Sequence, residues 1–112
     1  MSKYSTMDDG AINMLVGESL GLTSYYLNHD RSVQFRSEKG HIKGTKNYCN
    51  KPADAWPLIL KHKINIDHRA SIKAGAMAKL SGNNEVYAVN DNPLRAAMEV
   101  YLMAMDAGLL KD

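Results

Sequence analysis

What this chain has little of narrows its chemistry first. It carries one cysteine, one tryptophan, one phenylalanine and three prolines, and no stretch approaches the ~18 uncharged residues that a membrane span needs. A lone thiol cannot close an internal disulfide, so the fold must rest on an apolar core, and a reducing, cytoplasmic setting is expected. Residues 1–10 lack the apolar centre of a secretion signal. There is no glycine-rich phosphate loop of the GxxxxGK kind, and no order of serine, histidine and aspartate that suggests a hydrolase. His29, His41, His62 and His68 have no cysteine or histidine neighbour at zinc spacing, so neither a metal nor another cofactor is expected.

Length sets the scale of what is there. A chain of 112 residues makes one domain, residues 1–112, and folding at this size buries somewhat over ~60 % of the extended chain's surface. Net charge is only +2 but unevenly placed. Residues 31–51 hold Arg31, Arg36, Lys39, Lys43, Lys46 and Lys51 against the single acid Glu38, while the remainder is net acidic. Such a block suits a phosphate-facing surface, and it equally suits a solvated loop kept soluble by its lysines.

Along the chain, Thr6 stands before Met7, Asp8 and Asp9, which predicts a helix capped by Thr6 and begun by two acids. Ile12, Leu15, Val16 and Leu20 share one face at the helical period, Asn13 and Glu18 lie off it, and Gly21 sits at the C-terminal cap. Residues 25–27 and 33–35 read as two short strands about a polar turn. Residues 36–46, charged and glycine-bearing with only Ile42 apolar, read as a mobile surface loop.

Over residues 50–62 two helix starts compete. In one, Asn50 caps and Pro52 occupies the first turn; in the other, Asp54 caps and Pro57 occupies it. The second is preferred, because Pro57 would clash one turn back in a helix running unbroken from Lys51, and the middle helix as a whole is placed at Pro52 to His62. Segments 64–67, 71–80 and 85–89 then predict an antiparallel meander, turning at residues 81–84. Finally Asn92 as cap and Pro93 at the first position open a helix over 93–107, closed by Gly108. Leu94, Ala97, Met98, Tyr101, Leu102 and Met105 form one apolar stripe on it, and Ala96, Val100, Met103 and Ala107 a second. The fold class is α+β: three helices with a small antiparallel β-sheet.

Several residues carry a chemical reading beside a structural one. Cys49 precedes a helix start, where amide dipoles can acidify a thiol; no base motif accompanies it, and a buried, inert thiol is expected. Trp56 is either core or an exposed anchor for a partner or a nucleic-acid base, and core is expected. Asn50 and Asn92 read as caps and Asp54 as a dipole partner, each with ligand contact as the alternative. Arg95 is a cation in a first turn, where the dipole disfavours it, so a carboxylate should compensate. Asp54 is the expected partner, and an anion pocket at the two helix N-termini is the functional alternative. The hypothetical binding set is therefore Asn50, Asp54, Trp56, Asn92 and Arg95, and the hypothetical nucleic-acid set Arg31, Arg36, Lys39, Lys43 and Lys46.

Two segments carry a family resemblance: Asn47-Tyr48-Cys49-Asn50-Lys51-Pro52-Ala53-Asp54-Ala55-Trp56-Pro57-Leu58-Ile59, and Asn92-Pro93-Leu94-Arg95-Ala96-Ala97-Met98 followed by Tyr101-Leu102-Met103. With a looser match over residues 17–22, they resemble the phage NinX-like family, small proteins of lambda-like phages and of prophages. The resemblance implies a phage or prophage setting and brings no catalytic assignment. Three functions stay open. The preferred one is a non-enzymatic accessory or protein-interaction module, acting on a host or phage protein or as a homodimer through the last helix. The second is weak, sequence-nonspecific nucleic-acid binding through residues 31–51. The third is an enzyme using Cys49 or an anion pocket near Arg95.

Overall fold

The structure, a computed structural model, describes residues 3–67, 76–83 and 85–110. A 3-10 turn (Lys3–Thr6) leads into α1 (Asp9–Ser19), β1 (Thr23–Leu27), β2 (Val33–Arg36), β3 (Ile42–Lys46), α2 (Pro52–Lys61), β4 (Ile64–Asp67), β5 (Ala76–Leu80), β6 (Tyr87–Asn90) and α3 (Pro93–Asp106). The strands form two antiparallel three-stranded sheets, ordered β1-β2-β3 and β4-β5-β6. The α+β class holds, with two small sheets where one was expected. His68 and residues 71–75 of the expected strand lie outside the described residues.

α3 is the axis of the core. Its two apolar rows leave few polar positions, and a helix apolar on nearly all sides must be buried on nearly all sides. Accordingly, residues 95–102 and Ala104 are buried, and β5, β6, α1 and α2 all pack against it. Ala96, Ala97 and Ala104, none of them exposed, keep the helix surface low enough for those neighbours to approach. The surface α3 leaves to a partner is correspondingly small: Met103 and Met105 are partly covered, and Asp106 is exposed.

α1 starts later than its sequence suggests. Asp8, not Thr6, is the cap, its carboxylate accepting from the Ala11 amide at 3.0 Å, and Thr6 ends the 3-10 turn that carries Tyr4 into the core. Ile12 and Val16 are fully buried, but Leu20 is 44 % exposed while Asn13, placed off the buried face by its polarity, is fully buried. Gly21 takes φ +86°, and the Leu22 amide reaches back to the Gly17 carbonyl at 3.1 Å, closing the helix with a left-handed cap.

α2 also departs from expectation. It runs unbroken from Pro52 through Pro57, with Lys51 at the cap position and no side-chain cap. Pro57 deprives the Ala53 carbonyl of its partner one turn back, and both residues lie on the exposed side of the helix. Ala55, Leu58 and Ile59 face inward at helical spacing, which turns Trp56 and Leu60 outward, 49 % and 62 % exposed. The expected core tryptophan is a surface residue.

Residues 42–46, expected in a loop, are strand β3. Gln34 pairs with Thr45 and Val33 with Lys46, and the Ser37 amide closes the turn onto the His41 carbonyl at 2.8 Å. β3 buries almost nothing, so its sequence has no alternation to read; the ladder to β2 alone makes it a strand.

Candidate functional site

Four asparagines build a junction between α1, the turn at residues 47–51 and α3. Asn50, released from capping α2, donates to Asp9 Oδ2 and to Asn47 Oδ1, both at 3.1 Å, and accepts from Asn92 Nδ2 at 2.8 Å. Asn92 caps α3 through Oδ1, accepting from the Leu94 and Arg95 amides, and donates to the Cys49 carbonyl at 2.7 Å. The buried Asn13 accepts from the Cys49 amide at 3.0 Å and donates to Asn47 Oδ1 at 2.9 Å and the Arg31 carbonyl at 2.8 Å. Asp54 accepts from the Asn47 amide at 2.8 Å and pairs with Lys46 at 3.7 Å.

Arg95 locks this junction to the N-terminal turn. Its guanidinium donates to Asp9 Oδ1 at 2.7 Å, to Glu99 Oε2 at 2.9 Å, and to the carbonyls of Tyr4 and Met7. The carboxylate that sequence required is therefore Asp9, joined by Glu99 one turn on, and not Asp54. Burial works against the Arg95 charge, yet the Asp9 hydrogen bond and the Glu99 carboxylate more than offset it and the pKa rises. Burial pushes the Glu99 carboxyl up; Arg95 recovers part of that, and Asp9 adds to the rise.

The junction is saturated by its own side chains. Among the described residues, the one buried polar side-chain atom without a hydrogen bond is Arg36 Nε, which belongs to β2 of the first sheet. Cys49 is fully buried, and burial first, then Asp9, drives its pKa upward against the pull of Arg95, so the thiolate a nucleophile needs is disfavoured. No group of three or more histidine, cysteine or acidic side chains that could hold a metal occurs among the described residues. Of the sequence-derived binding set, the structure unites Asn50, Asn92 and Arg95, ties in Asp54 through Asn47, and leaves Trp56 outside.

A different arrangement occupies the outer face of the first sheet. Val33 and Phe35 of β2 face α1, so Gln34 and Arg36 face out, and their cross-strand partners Thr23, Tyr26, Thr45 and Ile42 share that face. The register slips between Ser24 and Tyr26, leaving Tyr25 unpaired there; the Arg36 guanidinium lies 3.8 Å from its ring centre. Tyr25, Tyr26 and Ile42 are 59 %, 60 % and 76 % exposed. At the turn end of the same sheet, Lys39, His41 and Lys43, with Glu38 and Ser37, line a groove of about 480 Å³ against Gly21 and Leu22.

This geometry divides the basic cluster seen in sequence. Arg31 pairs with Asp8 at 3.4 Å and Lys46 with Asp54, so both have carboxylates of their own, whereas Arg36, Lys39 and Lys43 gather at one end of the sheet. Sequence reading missed Tyr25 and Tyr26 as surface residues because it had no third strand to give that sheet an outer side. The signal present was two adjacent tyrosines in a strand too short to bury both.

A family-wide sequence model described as Bacteriophage P22, NinX matches residues 3–105, nearly the whole chain and well beyond the two segments that carry the resemblance. No curated protein and no solved structure matches the chain.

Proposed function

We propose, on the premise that the chain belongs to the bacteriophage P22 NinX family, that it is a phage accessory protein that binds single-stranded nucleic acid without sequence preference on the outer face of its first sheet. The observation that carries this reading is the Arg36 guanidinium stacked over Tyr25, with Tyr26 and Ile42 exposed beside it and Lys39 and Lys43 at the adjacent groove. Flat rings on a sheet accept bases by stacking, worth ~1–3 kcal/mol per base, and nearby cations take the backbone phosphates. Every base has a π-face, so such a platform is tolerant of sequence. The Asn50, Asn92, Arg95 junction then serves as scaffold.

The reading is tested by fluorescence anisotropy with a labelled oligothymidine at increasing salt. Three phosphate contacts, from Arg36, Lys39 and Lys43, give a log-log slope of about −2 on a single strand. Replacing Tyr26 by alanine removes ~1–3 kcal/mol of affinity, and replacing the three cations together abolishes binding. Binding that ignores salt, or survives the triple substitution, overturns the proposal.

A further inference from the structure

On the opposite sheet, β6 ends the order β4-β5-β6 and has β5 as its one neighbour among the described residues. The Leu80 amide donates to the Val86 carbonyl at 3.0 Å, which fixes the phase of the ladder. In an antiparallel pair, hydrogen-bonded positions alternate, so Val86 gives β5 its carbonyl while its amide turns to the Asn83 carbonyl, and with Ala78 opposite Ala88 and Ala76 opposite Asn90, residues 88 and 90 spend their amides and carbonyls on β5. Tyr87 and Val89 turn theirs to the open edge. Along β6, a cavity of about 480 Å³ is lined by Ser5, Glu85, Tyr87, Val89, Glu99 and Met103.

The charge of that cavity has one sign. Glu99 is 2 % exposed, and its cluster holds two carboxylates, Asp9 and Glu99, against the single cation Arg95. Glu85 is the second carboxylate among the lining residues beside Glu99, and no lysine or arginine lines the cavity among the described residues. Glu99 already accepts from Arg95, so Glu85 is the exposed acid of the lining, and a lining with carboxylates and no cation of its own suits a cation better than a phosphate. An exposed strand edge calls for extended backbone with donors and acceptors at the two-residue strand repeat, ~6.8 Å.

We propose that the open edge of β6 takes up an extended peptide segment of a partner protein as a fourth strand, with a lysine or arginine side chain of that segment entering the cavity toward Glu99 and Glu85. This site is independent of the nucleic-acid face: it lies on the other sheet and has the opposite charge. Backbone pairing with Tyr87 and Val89 supplies affinity, and the acidic cavity supplies the preference for a basic residue.

The probe is a short labelled peptide of alternating threonine and valine around a central lysine, titrated into the full chain by anisotropy. The expected result is saturable binding, weakened about tenfold or more when glutamate replaces the lysine. Val89→Pro deletes an amide of the open edge and none of the β5 ladder, so it should abolish binding in a folded protein, as should N-methylation of the peptide backbone. Glu85→Gln, at an exposed position, should narrow the lysine-over-glutamate preference without touching the fold. No saturable binding at about 1 mM, equal binding of the two peptides, or binding unchanged in Val89→Pro overturns the inference. Butylamine competing fully while Val89→Pro has no effect would make the cavity a simple amine pocket, which also overturns it.

Discussion

Arg95 Nη1 donates to Asp9 Oδ1 at 2.7 Å across 86 residues of sequence, tying the first turn of the last helix to the first turn of the first. With Glu99 and two carbonyls on the same guanidinium, this one side chain holds the N-terminal turn in place.

Removing the guanidinium leaves two carboxylates without their cation in a mostly buried setting. Arg95→Ala is expected to cost about 3–5 kcal/mol, the usual penalty for stranding a buried charge, whereas Asp9→Asn, partly exposed and still able to accept, should cost about 1–2 kcal/mol. Urea unfolding measures both. A loss under about 1 kcal/mol for Arg95→Ala would mean that the cluster does not hold the fold.

Gly17 is a helix position where alanine should do harm. A Cβ there would sit 2.2 Å from two ring carbons of Phe35, so the ring or the helix must move. Gly17→Ala gains up to ~1 kcal/mol of helix propensity, but overpacking of this kind costs ~1–3 kcal/mol, and a net loss is expected. Adding Phe35→Leu should recover part of it, read by thermal melts of the three variants.

Trp56 and Ile59 sit three positions apart on α2 and should respond oppositely. Trp56 is half-exposed, so its fluorescence should be red-shifted and open to iodide quenching, and Trp56→Ala should cost under ~1 kcal/mol. Ile59→Ala empties a core position and should cost ~2–5 kcal/mol. A blue-shifted, unquenched tryptophan in the native protein would contradict the outward orientation.

For Cys49, a fully buried thiol with a raised pKa predicts no labelling by a disulfide reagent at about pH 8 until the protein unfolds. Labelling at the rate of a free thiol in the native state would revive a reactive-cysteine role.

Alkaline pH should weaken the fold through two tyrosines. Burial first, then Asp106 for Tyr4 and Asp54 for Tyr48, pushes both phenols from 10.0 to about 12. A folded value above the unfolded one means the native state favours the protonated phenol. That stabilisation is therefore intact below pH 10 and is lost as pH rises through 12. Urea midpoints across that window should fall, and fall less in the Tyr4→Phe, Tyr48→Phe double variant. Equal slopes would remove both residues from the account.

What sequence alone determined was whatever depends on neighbours within a turn or two. Asn92 before Pro93, followed by two apolar rows, specified α3, its cap and its burial, because capping and helical period are local. The three helices, the β4 strand and the burial of Cys49 were legible on similarly local grounds, and the family was legible through the resemblance carried by residues 47–59 and 92–103. Tertiary structure decided the rest wherever a residue's role depended on a distant surface. Arg95 required a carboxylate, but only packing could choose Asp9 over Asp54. Trp56 belonged by composition to the core, yet the phase of α2 against α3 turned it out. Asn13 was sent inward by three backbone and side-chain partners that lie 18 to 36 residues away. Strand β3, and with it the outer face bearing Tyr25, Tyr26 and Arg36, exists through cross-strand hydrogen bonds that leave no periodicity in the chain.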